Sequence, residues 1–155
     1  MTWLLVLLAC MPADYRRARK LEGKYETGQP GQGWVQVDPG DADHAWFNKA
    51  LGATVYTDSN CGPRYAESLS ANLATELTAG LRGVTTDRDD ILYVLGREGV
   101  LRVHTGTLDG VAVRLALGVV NVDACNYDFT LIAPPEQFDA GLSAWQAVVD
   151  GFAPR

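Results

Sequence analysis

Apolar positions in this chain follow two rhythms, and the change from one to the other marks out its elements. Val111, Val113, Leu115 and Leu117 alternate with Ala112, Arg114, Ala116 and Gly118, the two-residue period of a strand. That run extends toward Val122. Tyr127, Phe129 and Leu131 alternate with Asn126, Asp128 and Thr130 in a further strand opened by Cys125. Residues 100–105 form another, and Leu108-Asp109-Gly110 carries the turn chemistry of a hairpin. Residues 91–95 (Ile-Leu-Tyr-Val-Leu) are apolar throughout and few, which predicts a strand buried on both faces. Earlier in the chain, residues 34–37 and 53–57 predict two short strands, and residues 41–48 fit neither rhythm.

The longer period appears twice. Tyr65, Leu69, Leu73, Leu77 and Leu81 recur every fourth residue, predicting a helix over 63–79 with one apolar stripe. Pro63 suits its first position, and Gly80 or Gly83 its end. Phe138, Leu142, Trp145, Val149 and Phe152 step by four and three behind Pro134-Pro135-Glu136, a second helix that Gly151 stops. The order is strand, strand, helix, four strands, helix. Short turns between neighbouring strands imply antiparallel pairing, and a helix with one apolar face needs a sheet to cover it. The expected fold is α+β, an antiparallel sheet of about six strands with helices packed on it.

Gly28-Gln29-Pro30-Gly31-Gln32-Gly33 is too rich in glycine and proline for regular structure, so residues 10–33 are expected to be a flexible linker. A single globular domain then spans 34–155. Within it, Cys125-Asn126-Tyr127-Asp128-Phe129 leads to a helix bearing Phe138 and ending at Gly151-Phe152. This order of elements and aromatics resembles the PsbP-like α-β-α sandwich. The resemblance implies a largely non-catalytic assembly or docking module.

Residues 1–10 read Met-Thr-Trp-Leu-Leu-Val-Leu-Leu-Ala-Cys, an apolar run ended by cysteine and followed by polar and basic residues. The run is too short to span a bilayer. Leu7-Leu8-Ala9-Cys10 resembles the lipobox of bacterial lipoproteins. That implies a signal segment over 1–9, acylation at Cys10 and attachment to the cell envelope. Met11 after the cysteine favours the outer membrane by the same analogy. The alternative is a buried N-terminal strand with a free core cysteine.

Charge supports the picture. Residues 14–26 hold five cations against three acids, or +2, so the remainder of this −6 chain carries −8. An acidic body excludes a nucleic-acid partner, because phosphate binding needs a basic face. The expected partners are the membrane, through the lipid, and a protein of the envelope. The basic stretch fits anionic headgroups or a solvated tether. With Cys10 lipidated, Cys61 and Cys125 remain as an even pair. Export favours a disulfide between them, and two buried free thiols are the alternative.

Little else points to chemistry. His44 lies in Asp41-Ala42-Asp43-His44, read as a loop, and His104 on a strand facing one side of a sheet. Neither has the serine context of a hydrolase. Asp87, Asp89 and Asp90 lack the glycine and late glutamate of a calcium loop, and Arg88 opposes one. They read as a solvated acidic loop, as do Asp38, Asp41 and Asp43. The sequence therefore predicts no catalytic residues, no metal and no cofactor. Trp34 and Trp145 suit a core, with Trp145 on the helix stripe. Trp46-Phe47, off any period, is the candidate contact surface. The second functional expectation is a small-molecule or lipid-binding module with a pocket between sheet and helix.

Overall fold

The computed structural model describes residues 22–66 and 68–155. In chain order they form β1 (Tyr25–Glu26), β2 (Val35–Gln36), β3 (His44–Asn48) and β4 (Ala53–Cys61). Next come α1 (Pro63–Ala66) and α2 (Ser70–Leu77), then β5 (Arg82–Val94), β6 (Arg97–Leu108), β7 (Val111–Val122) and β8 (Cys125–Ala133). A 3-10 turn (Pro135–Gln137) leads into α3 (Phe138–Asp150), followed by β9 (Ala153–Pro154). The main sheet has seven strands in the order β2-β3-β4-β8-β7-β6-β5, and β1 pairs with β9 in a separate ribbon. Every pairing is antiparallel.

Two-residue turns build the β5–β8 meander. Leu95-Gly96, Asp109-Gly110 and Asp123-Ala124 all take positive φ at both positions, the conformation whose twist matches that of the flanking strands. The observed strands overrun their predicted ends because pairing continues to each turn. Residues 41–48, which fit no period, supply β3, so the sheet has seven strands where about six were expected.

Helices cover both faces. On the front face, α3 buries Phe138, Ala144, Trp145, Val148 and Val149 against Val55, Ala116, Phe129 and Leu131. Trp145 fits because Gly118 lies beneath it; a Cβ there would stand 3.0 Å from the indole ring. The indole N–H donates to the carbonyl of Phe129 at 3.0 Å. On the back face, Leu73 and Ala74 of α2 pack on Leu115, Leu117 and Val119 of β7. Arg102 on β6 reaches over to bond the Ala71 carbonyl and the Thr75 hydroxyl.

Three expectations are corrected here. The helix predicted over 63–79 is broken, with Leu69 extended at φ −72°, ψ 135° and 68% exposed. A strict spacing of four overshoots each helical turn by about 40°, so five such residues cannot all face one flat sheet. Residues 91–95 are not buried on both faces. Leu92 and Val94 join the front core, while Ile91 and Tyr93 are exposed, because β5 is the sheet edge and α2 sits over β6 and β7 instead. The acidic residues 87–90 are not in a loop but on this edge strand, pointing to solvent and to Arg102 and Arg114.

The boundary at Trp34 is also corrected. Tyr25 is buried, its hydroxyl hydrogen-bonded to Thr57 Oγ1 at 2.8 Å. The Gly28 amide donates to the Val148 carbonyl at the end of α3. Residues 22–33 therefore belong to the globular unit. Their glycines permit close approach to α3: a Cβ on Gly28 would lie 1.8 Å from the Ala147 carbonyl oxygen.

Candidate functional site

Cys61 and Cys125 end the β4 and β8 strands as direct cross-strand partners, and an S–S bond joins them. The Cys61 amide donates to a Glu22 carboxylate oxygen at 3.0 Å. Cys10, the expected lipidation residue, lies outside the described residues.

The expected contact surface is overturned. Trp46 is 4% exposed, in the front core, and Phe47 on the opposite face is half-buried. The alternation of β3 turns one residue in and the next out, so the pair cannot present a joint patch. Exposed apolar side chains gather elsewhere. Ile91 and Tyr93 stand 59% and 65% exposed along the free β5 edge, beside Leu95 at the turn.

His44 opens β3 rather than sitting in a loop, and it faces the front. Its ring packs edge-on to Tyr25 at 5.2 Å and along Trp46 at 6.0 Å. Ser59 Oγ, close to that packing, donates to Asp43 at 2.6 Å and accepts from the Gly23 amide. Asp43 thus braces the N-terminal segment, while Asp38 caps its own turn through the Gly40 amide. His104 faces the back, paired with Leu115, and its Nδ1 lies 3.2 Å from the Thr86 hydroxyl. Burial, then the Arg102 charge, lowers its pKa, so it is neutral at pH 7. The two histidines occupy opposite faces of the sheet. Among the described residues neither bonds a serine or a carboxylate, and no three His, Cys, Asp or Glu side chains converge to hold a metal. These side chains do not make a catalytic site.

The sequence did not single out a polar row on the back face of β4 and β8. Asp58 lies directly across from Asp128, and Asn60 across from Asn126. Asp128 and Asn126 are each 2% exposed, and among the described residues Asp128 Oδ2 and Asn126 Oδ1 have no hydrogen-bond partner. Burial, then the charges of Asp58 and Asp43, pushes the Asp128 carboxyl up to about 8. Burial and Asp43 raise Asp58 as well. Beside them, burial raises the Tyr56 hydroxyl, which bonds Thr130. The signal was present as polar residues at every second position of a strand, which normally marks a solvated face.

On the front, α3 and the sheet border a cleft of ≈ 580 Å³, whose walls include Leu101, Val103, Phe138, Leu142 and Trp145. Arg114 closes one side, its guanidinium 4.5 Å above the Phe138 ring and bridged to Asp87 and Asp139. A hydrogen bond from Thr105, with Arg114 adding to it, lowers the Asp87 pKa. Among the described residues no helix is long and apolar enough to cross a membrane.

No family model matches the chain, and no curated protein matches its sequence. Solved structures do match in shape. LpqN of Mycobacterium tuberculosis, a protein involved in cell envelope biogenesis, superposes with a TM-score of 0.61 at 11% identity, covering 83% of this chain and 82% of LpqN. CyanoP, the cyanobacterial PsbP of Synechocystis, gives 0.60 at 11% identity over 86% of this chain and 88% of its own. PA94 of Pseudomonas aeruginosa, a protein of unknown function, gives 0.54 at 15% over 79% and 81%. Likeness at these identities is one of fold, and the fold this chain shares with them is the PsbP-like α-β-α sandwich.

Proposed function

We propose that this chain is a non-catalytic accessory protein of the bacterial cell envelope, tethered by lipid on Cys10 and docking to a protein partner through the β5 edge. The observation that carries the docking role is the exposed pair Ile91 and Tyr93, with Leu95 at the adjoining turn, on a strand with no neighbour on its outer side among the described residues. Such an edge leaves backbone N–H and C=O groups open to an added strand. The fitting partner is an extended protein segment with apolar side chains at alternate positions. The Leu-Leu-Ala-Cys sequence supports the tether, and a disulfide supports an oxidising compartment. The part LpqN plays in envelope biogenesis agrees with the address. The outer membrane, facing the periplasm, is the proposed location.

Two measurements test this. Labelled fatty acid should enter the protein, and Cys10→Ala should release it from membranes into the soluble fraction. A photo-reactive residue at Tyr93 should crosslink one envelope protein in intact cells, and Ile91→Lys should remove that adduct. An unlabelled, soluble wild type ends the tether, and a silent Tyr93 ends the docking edge.

A second reading rests on the cleft beneath α3, whose apolar walls suit a small apolar or lipid-like molecule. Titration of a fatty acid against tryptophan emission examines it. A flat titration to about 100 μM, well above the Kd of a fitted pocket, removes that reading.

A further inference from the structure

The back-face row combines three features. Two carboxylates, Asp58 and Asp128, face each other across the β4–β8 ladder, and neither has an ion-pair partner among the described residues. Five other aspartates do have one: Asp87, Asp89, Asp90, Asp123 and Asp139 each pair with an arginine. Next to them, two buried oxygens, Asp128 Oδ2 and Asn126 Oδ1, accept no hydrogen bond among the described residues. These two residues are two positions apart on one strand, so they share a face. Asn60 donates its amide to Asp58 at 3.3 Å, which leaves its side-chain carbonyl oxygen as a further acceptor beside them. Leaving buried acceptors unmatched costs about 1–3 kcal/mol apiece, and unmatched groups of this kind point to a ligand or ion.

We propose that Asp58, Asn60, Asn126 and Asp128 form a binding site for a hard divalent cation of the calcium type. Two carboxylates and two amide carbonyls are an all-oxygen donor set, the preference of calcium and magnesium, with water completing the shell. No nitrogen or sulfur ligand stands in the row, which disfavours zinc and copper. Asp58 and Asn60 are partly exposed and provide the way in. Asp43 and Glu22 deepen the negative potential around Asp58.

The test is equilibrium dialysis of the oxidised protein against radiolabelled calcium, with a parallel series competed by magnesium. One ion should bind per chain with Kd of about 0.1–1 mM, the range of weak extracellular sites. Asp58→Asn and Asp128→Asn should each weaken binding by at least about tenfold, and Asp139→Asn on the front rim should leave it unchanged. Competition by magnesium at a higher concentration than calcium fits a site of this size. No bound calcium at about 5 mM, or full binding by Asp58→Asn, would overturn the proposal.

Discussion

Asp128 sets the pH response at the scale of one residue. Its carboxyl is pushed up to about 8, against about 4 in an unfolded chain. Below pH 4 both states hold the proton, and this residue makes no pH-dependent difference. Between pH 4 and 8 the unfolded chain gives the proton up while the folded one keeps it, so stability falls as pH rises. Above 8 both are ionised and the loss is complete. In chelator, urea midpoints should therefore decline from pH 5 to pH 8. Asp128→Asn, which has the same shape and no charge, should flatten that decline. It should also raise stability at pH 8 by on the order of 2 kcal/mol. A wild-type midpoint that rises over this window would show the side chain to be ionised and satisfied in the fold. Nothing in the sequence pattern separates Asp128 from the solvated acids at 87–90. The strand alternation located it on a face, and tertiary packing made that face an interior.

Elements in this fold depend on how closely backbones approach. The ribbon of β1 and β9 is held to α3 by Gly28 and Gly151, where a Cβ on Gly151 would lie 2.3 Å from the Gly28 backbone. Gly28→Ala should cost about 2–3 kcal/mol, because its methyl meets a carbonyl oxygen rather than a side chain that could turn away. Gly31→Ala, where a Cβ meets nothing within 4 Å but φ is +97°, should cost about 1 kcal/mol through backbone strain alone. Thermal melts of the two variants give the comparison. Equal losses would mean that residues 22–33 do not pack as described. The glycine-rich run looked like a linker because the same composition serves both flexible chain and tight contact. Tyr25, an aromatic beside a basic cluster, was the one local hint of burial. The helix over 63–79 illustrates the opposite error: its leucines were spaced for a stripe, but a fixed step of four drifts around the helix axis.

Across the whole molecule, the Cys61–Cys125 bond closes a loop with a sequence separation of 64, holding α1, α2 and β5–β7. In the chain-entropy description a loop of that size restricts the unfolded state by about 4 kcal/mol. Guanidinium unfolding with and without reductant should differ by about that amount, and the Cys61→Ser/Cys125→Ser pair should match the reduced protein. A difference below about 1 kcal/mol would mean that the open form keeps its ends together without the bond. The ladder between β4 and β8 pairs eight residues of each strand, so the fold itself should survive reduction at low temperature.

Local repetition determined most of the architecture. The alternation in β7 and β8, the turn at Asp109-Gly110 and the stripe of α3 fix their elements because side-chain direction along a strand or helix depends on near neighbours in sequence. The α+β class and the order of the meander follow from those signals. Tertiary structure decided which faces are covered. Ile91 and Tyr93 are exposed because β5 has no neighbour on its outer side among the described residues, Trp46 is buried because the ribbon and α3 close over the front, and Asp58 and Asp128 meet because β4 pairs with β8 across the disulfide-closed loop. Burial is a property of what lies opposite, and residues far apart in the chain supply it.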